Sequence, residues 1–260
     1  MLDRNAVYVW RVPLDSVFDE ARMASWRKLL SPEELRRADG FHGEGHRRDY
    51  VTAHVALRVV LGDCLGMEPS AVKLAVSPPA VRSKIAAAPT KPALSRTVCD
   101  ADHGPDLRFN LSHTAGAALI AVAPGREVGV DIERNRPLED LKAMAHTIFS
   151  EEELALWMKL PEADRRAAFY RVWTRKEAYL KAIGLGLYRV LQDVTVPTSI
   201  VALEGPGQAQ LVRDVAGSGR WSVVDVAVEK GCCGAVCWEG DGLEKIVVAD
   251  LGLGEWARGA

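Results

Sequence analysis

What most constrains the fold is that short runs of period-two alternation are separated by longer segments of helical period, and that this theme comes round twice. AVYVWRV (6–12) alternates as a strand does. SPEELRRADGF (31–41) opens with Ser31 and Pro32 followed by two glutamates, the N-cap, first position and acidic first turn of a helix. RRDYVTAHVALRVVLGDCLG (47–66) carries apolar residues at helical spacing and stops at Gly66. LRFNLSH (107–113) and AGAALIAVAP (115–124) then form a strand hairpin. Beyond Pro124-Gly125 come a strand, EVGVDIE (127–133), helices near 137–148 and 150–159, and a long helix, DRRAAFYRVWTRKEAYLKAIG (164–184). WSVVDVAVE and GAVCWE close the chain as alternating strands.

This order gives an α+β fold with a boundary at Pro124-Gly125, hence halves 1–125 and 126–260. Tyr50 precedes Leu65-Gly66 by the same interval as Tyr170 precedes Leu185-Gly186, an echo that either two related halves or coincidence would produce. The Pro-rich stretch from Ser77 to Asp106 fits no regular element.

Composition limits the partners. The 33 basic and 35 acidic side chains nearly cancel, so no overall footprint of nucleic acid or an anionic membrane is present. No apolar run reaches the roughly 20 residues of a membrane span, and the N-terminus lacks the apolar core of a secretory signal. Five cysteines without a CxxC pair suggest free thiols rather than a disulfide framework or a zinc site, and a cytoplasmic location is the expectation.

Chemistry concentrates in the second half. In GVDIE (129–133) alternate side chains share a face, so Asp131 and Glu133 point one way while Val130 and Ile132 point to the core. Two carboxylates about 6–7 Å apart along a strand invite a cation, and oxygen ligands without His or Cys favour a hard one such as Mg²⁺. A half-buried strand with a solvated acidic face would carry the same pattern. WTRKEAYLKAIGLGL (173–187) places Trp173, Glu177 and Lys181 on one helical stripe, which suits either a site or a surface ion pair. FNLSHT (109–114) brings Ser112 and His113 to a hairpin corner, and TKP (90–92) offers Lys91 beside Pro92 in a loop. Three acids for a metal, with lysine, imidazole and hydroxyl donors, form the inventory of pyrophosphate chemistry. No Walker loop or GxGxxG accompanies them.

The order KP, FNLSH, GVDIE, WTRKEAYLKAIGLGL resembles that of the 4′-phosphopantetheinyl transferases, specifically the pseudo-dimeric type that activates peptide and polyketide synthetases. The resemblance runs from about Ser31 to Leu187. It implies two similar α+β halves related by a pseudo-twofold, with the active site in the cleft between them. The implied reaction moves the phosphopantetheine arm of coenzyme A to a serine of an apo carrier protein and requires Mg²⁺. The resemblance makes Asp131, Glu133 and Glu177 metal ligands, Glu177 also the base, and Lys181 a pyrophosphate contact that with His113 balances charge. It sets Ser112 and His113 near the coenzyme A phosphates and Lys91 and Pro92 beside the adenine. Arg37, Arg47 and Arg48 are candidate contacts to the 3′-phosphate.

The Lys91–Phe109 connection is longer than the resemblance implies, which bears on the adenine pocket. Carrier proteins of polyketide, peptide or fatty-acid synthases would be the partners, with Arg171, Arg175 and Lys176 as a basic docking surface. Two cleft-forming halves in one chain lead us to expect a monomer. A non-catalytic coenzyme A or carrier-binding homologue would be marked by loss of an acid or of Lys181, and all four are present. A Mg²⁺-dependent pyrophosphate hydrolase would differ in taking water as acceptor.

Overall fold

A computed structural model of the chain describes residues 2–15, 20–77, 91–94, 106–184, 191–196, 210–214, 219–241 and 245–253. In chain order its strands are β1 (Ala6–Pro13), β2 (Leu74–Ser77), β3 (Lys91–Leu94), β4 (Leu107–Thr114), β5 (Ala117–Pro124), β6 (Val128–Arg134), β7 (Val194–Thr195), β8 (Gln210–Leu211), β9 (Arg213–Asp214), β10 (Trp221–Val226), β11 (Cys232–Glu239) and β12 (Lys245–Asp250). Its helices are α1 (Glu20–Arg27), α2 (Pro32–Asp39), α3 (Glu44–Leu65), α4 (Leu141–Ile148), α5 (Glu151–Met158) and α6 (Glu162–Ile183).

Two four-stranded sheets carry the fold, ordered β12-β1-β5-β4 and β6-β11-β10-β8. Each is built on an antiparallel hairpin, β4–β5 or β10–β11, flanked by the strand that opens its half, β1 or β6. The C-terminal β12 pairs parallel with β1, so the first sheet also draws a strand from the far end of the chain.

The period-two alternation of β5 sorts its residues into two cores. Ala118, Ile120 and Val122 join α3 in one cluster, whereas Ala117, Leu119, Ala121 and Ala123 meet Val128, Val130 and Ile132 in another. The second cluster lies between the sheets and includes Val7 and Val9 of β1 and Val224, Val226, Val236 and Trp238 of the second sheet. The outer face of the second sheet packs on α6 through Tyr179, Val223, Ala235 and Cys237. The layers therefore run helix, sheet, sheet, helix.

The helices preceding the sheet hairpins repeat in detail. Ser31 and Glu34 form a capping box on α2, and Ser150 and Glu153 form one on α5. Both α3 and α6 are 22 residues long and end at a left-handed glycine, Gly66 (φ 66°) and Gly184 (φ 74°), a backbone conformation that a Cβ would strain. The fifteenth residue of each is a buried cation, Arg58 and Lys176, paired with the capping-box glutamate before it, Glu34 or Glu153. Superposed end to end, the helices align two residues away from the Tyr50/Tyr170 echo, which paired the wrong positions. Leu185 and Gly186 of that echo lie outside the described residues.

Helix boundaries also moved. The first long helix starts at Glu44 rather than Arg47, and the second at Glu162 rather than Asp164. Within Ser77–Asp106, Lys91–Leu94 pairs antiparallel with Leu74–Ser77, so part of the connection is strand; 78–90 and 95–105 lie outside the described residues. Helix α1 and strand β12 had no signal strong enough to read in advance, being short and weakly patterned. Among the described residues no helix is long and apolar enough to cross a membrane.

Candidate active site

Gly129 determines how the site is assembled. A Cβ placed there would lie 2.1 Å from the carbonyl oxygen of Ala178 and 2.4 Å from the amide nitrogen of Ala182, so only glycine lets α6 rest its backbone on β6. Val128, Val130 and Ile132 face the inter-sheet core, and the alternate residues Gly129, Asp131 and Glu133 face α6. Glu177 and Lys181, one turn apart on α6, are thereby held against the two strand carboxylates.

Lys181 Nζ donates to Asp131 Oδ1 at 2.6 Å and to Ser112 Oγ at 2.8 Å, and Ser112 Oγ donates to the same Asp131 oxygen at 2.9 Å. The ion pair thus crosses from helix to strand instead of forming the i,i+4 surface pair between Glu177 and Lys181. Asp131 is only 3% exposed, which removes the alternative of a solvated acidic face. Its second oxygen, Oδ2, is buried with no hydrogen-bond partner, and so is Glu177 Oε1.

Burial, with Asp131 and Glu133 close by, outweighs the pull of Lys181 and raises the Glu177 pKa to about 7. Glu133 is also raised, first by burial and then by Asp131, although Lys181, Arg136 and the indole N–H that Trp173 donates to it act in the opposite direction. These three acids feel one another and share one resident lysine.

Strand β4 supplies the other wall and ties the two sheets together. Its edge faces the edge of β6, but side chains replace the backbone ladder: Asn110 Oδ1 accepts from Val130 N–H at 2.9 Å, and Ser112 Oγ accepts from Ile132 N–H at 3.4 Å. One residue further along β4, the His113 ring is held below the ordinary histidine pKa by desolvation and then by His54, with smaller opposing and reinforcing contributions from Asp49, Lys181 and Arg37. His113 therefore stands where the α2–α3 face of the first half meets α6 of the second.

The first half contributes cations near this wall. The Arg37 guanidinium lies 5.8 Å from the Tyr50 ring centroid, and His54 stacks on the opposite partner of that pair at 4.0 Å from Tyr50. Arg47 spends one nitrogen on Phe41 O at 3.0 Å, while its Nε is buried without a partner. Arg48 is exposed on the first turns of α3. The backbone of Lys91 and Pro92 belongs to β3, opposite Ser77 and Val76.

One expectation is overturned. Arg175 and Lys176 are 5% and 0% exposed, and both are consumed internally, Arg175 by Asp225 at 2.6 and 2.7 Å and Lys176 by Glu153 at 2.6 Å. Arg171 shares Asp225 at 3.2 Å. A basic run on a long helix reads as solvated, but α6 is buried on most of its circumference, so these three side chains are structural and form no docking surface. Asn110, Gly129 and His54 went unnoticed in the sequence. Gly129 was legible in principle, since a glycine inside a strand signals close backbone approach.

Whether the site suits a divalent cation is answered by the donor set. Among the described residues no three acidic, His or Cys side chains are already gathered into a coordination shell. Two buried carboxylate oxygens without partners, Asp131 Oδ2 and Glu177 Oε1, nevertheless belong to acids that repel one another, and buried unpaired oxygens of this kind are rare unless an ion or water satisfies them. Asp131, Glu133 and Glu177 fit a hard cation.

Comparison with known proteins agrees with this geometry. Residues 127–223, which span β6 to the start of β10 and include every acid of the site, match the family described as the 4′-phosphopantetheinyl transferase superfamily. The chain is 34% identical over 236 residues to the 4′-phosphopantetheinyl transferase HetI of a Nostoc species, covering 91% of this chain and 89% of HetI. It is 28% identical over 227 residues to the phosphopantetheinyl transferase of a Thraustochytrium species, covering 81% of this chain and 74% of that protein. Over 98 residues it is 36% identical to the 4′-phosphopantetheinyl transferase AcpT of Salmonella typhimurium, 37% of this chain and 51% of AcpT. With an identity of that level sustained along almost the whole of both proteins, the chain belongs to the 4′-phosphopantetheinyl transferase superfamily.

Proposed function

We propose that the protein transfers the 4′-phosphopantetheine group from coenzyme A to a serine hydroxyl of an apo carrier protein and releases adenosine 3′,5′-bisphosphate. The observation that carries this reading is the group formed by the buried Asp131 and the half-buried Glu133, Glu177 and Lys181 between β6 and α6, backed by Ser112 and His113 from the other half. Residues 1–125 would supply the nucleotide wall, with Arg37, Arg47, Arg48, Lys91 and Pro92 as candidates, and 126–260 the acids and the lysine. A Mg²⁺ ion held by Asp131, Glu133 and Glu177 would neutralise the non-bridging oxygens of the diphosphate.

The chain's own groups do the rest. Glu177, a carboxylate that burial makes more basic, accepts the proton leaving the serine hydroxyl as its oxygen attacks the β-phosphorus. The bond from that phosphorus to the bridging oxygen breaks, and the electron pair leaves with the adenosine bisphosphate. Lys181 balances charge on the phosphates, His113, kept neutral by desolvation, can only donate a ring N–H to them, and Trp173, through its indole N–H, fixes the orientation of Glu133. Positioning contributes most of the acceleration.

Carriers of polyketide, nonribosomal peptide or fatty-acid synthesis are the partners we propose, for a cytoplasmic enzyme acting as a monomer. Several apo carrier proteins incubated with coenzyme A and Mg²⁺ should each be weighed by mass spectrometry. Addition of one phosphopantetheine mass, lost with EDTA, is expected. Release of adenosine bisphosphate without a carrier would instead favour a hydrolase.

A further inference from the structure

We infer that Lys181 is the resident counter-ion of Asp131 in the cation-free protein, and that binding of a divalent cation and release of Lys181 from Asp131 are one coupled exchange. The inference rests on the reading that Asp131, Glu133 and Glu177 hold the cation.

Three observations lead to it. Lys181 Nζ is 2.6 Å from Asp131 Oδ1, so one oxygen of a 3%-exposed carboxylate is already charge-paired. That same oxygen also accepts from Ser112, whose hydroxyl in turn accepts from Lys181, a closed triangle that holds the ammonium on the carboxylate in preference to solvent. Meanwhile Asp131 Oδ2 and Glu177 Oε1 are buried without any donor, so the one lysine leaves part of the acidic cluster unmet. A divalent ion that satisfies those two oxygens brings charge that makes the ammonium redundant at Asp131, since a cation beside Lys181 repels it.

The route out is present as well. The Lys181 side chain keeps 28% of its surface exposed, and its flexible four-carbon stem can carry the ammonium off the carboxylate. Leaving Asp131, it would be free to meet an anionic donor that arrives with the ion. Ser112 acts on this exchange as a positioning residue, because it shares its hydroxyl between the two partners. In this account Lys181 competes with the metal before it assists with the substrate.

The test measures Mn²⁺ binding without coenzyme A, by electron paramagnetic resonance of the free ion, on the full chain and its K181M, K181R and S112A variants. Lys181→Met removes the competitor and should tighten Mn²⁺ binding about tenfold, the scale set by a partly buried charge pair. Lys181→Arg keeps the charge and should stay within about threefold of wild type. Ser112→Ala loosens the lysine and should tighten binding about twofold. Since K181M leaves Asp131, Glu133 and Glu177 without their shared lysine, at a cost to the fold, thermal unfolding with and without Mn²⁺ is run alongside, and the metal-induced rise in Tm should be larger for K181M than for wild type. Equal or weaker Mn²⁺ affinity in K181M, with wild type still binding, overturns the exchange alone. No binding by either protein overturns the cation site itself and the exchange with it.

Discussion

The two halves share a plan and differ in what they place on it. Both set a capping-box helix before a 22-residue helix, bury the box glutamate against a cation at the fifteenth position of the long helix, and pack that helix on an antiparallel hairpin. In the first half Glu34 receives Arg58 through two nitrogens at 2.7 and 3.0 Å and His54 at 2.9 Å. In the second half Glu153 receives Lys176 at 2.6 Å, plus the Ser150 N–H at 2.8 Å and the Val196 N–H at 2.7 Å. Positions one and five residues past the buried cation are Val59 and Asp63 in α3 but Glu177 and Lys181 in α6. With Val9 and Val130 as matching inner-face residues, the β1 partner of Asp131 is Trp10 and that of Glu133 is Val12. A repeated scaffold thus holds chemistry on one copy and, apart from the exposed Asp63, apolar packing on the other, which teaches that the buried glutamate–cation pair belongs to the scaffold and the α6 face turned to β6 to function.

The sharpest way to break this comparison is to strike matching helix positions. Glu177→Gln should lower carrier modification by about 10³-fold, within the range of a lost general base, with unchanged or improved stability because a strained buried acid is removed. Val59→Ala should cost about 1–2 kcal/mol in urea unfolding and leave kcat within twofold. If Val59→Ala abolished turnover while the fold held, chemistry would not be confined to one half.

Next in size is the scaffold pair itself. Lys176 is 0% exposed and desolvation lowers its pKa, with Glu153 pulling the other way, so its charge is tolerated only because of its partner. Lys176→Met strands the equally buried Glu153 and removes donors from Ile148 O and Leu191 O, at a cost of about 3–5 kcal/mol. A change below about 1 kcal/mol in denaturant unfolding would show that the pair is incidental.

How much of this could be read in the sequence follows from what each signal depends on. The Ser31 N-cap, the Gly66 helix stop and the alternation of Asp131 and Glu133 are local, set by neighbours within a turn or a strand, and they came through within a few residues. The stripe Trp173, Glu177, Lys181 was legible for the same reason, and the family resemblance supplied its meaning. Arg175 and Lys176 were misread because burial is decided by Asp225 and Glu153, partners 50 and 23 positions away that no local pattern reveals. Asn110 is silent in sequence, since a side-chain acceptor for the Val130 N–H matters only once two sheet edges meet.

The first half sharpens the comparison through pH. Burial raises the Glu34 pKa, but hydrogen bonds from His54, Arg58 and the Ser31 N–H prevail and lower it to about 2. A carboxyl with a folded pKa below its unfolded value stabilises the protein above about pH 4.5, and that contribution is lost as pH falls toward 2. The difference corresponds to about 3 kcal/mol. Wild type should therefore lose stability steeply between pH 4.5 and 2, and Glu34→Gln should be less stable at pH 7 yet flatter over that window. Parallel slopes for the two proteins would assign acid sensitivity to another carboxyl.

The smallest effect probes where the halves join. Asn110 carries no charge; its Oδ1 receives the Val130 N–H, one residue before Asp131 on β6. Deleting the acceptor by Asn110→Ala leaves a buried amide unpaired, worth about 1–2 kcal/mol. Asp131 also loses one of the side-chain links that fix its strand against β4, while Ser112 keeps those to Ile132 N–H and to Asp131 itself. A purely structural role would lower Tm and leave the chemistry of folded molecules intact. A role in setting the strand adds a fall in kcat of about tenfold at temperatures where the variant is fully folded, with the Asn110→Asp variant, which retains an acceptor, recovering most of it. Equal kcat for Asn110→Ala and wild type under those conditions would mean that Ser112 and Gly129 alone hold Asp131 against α6.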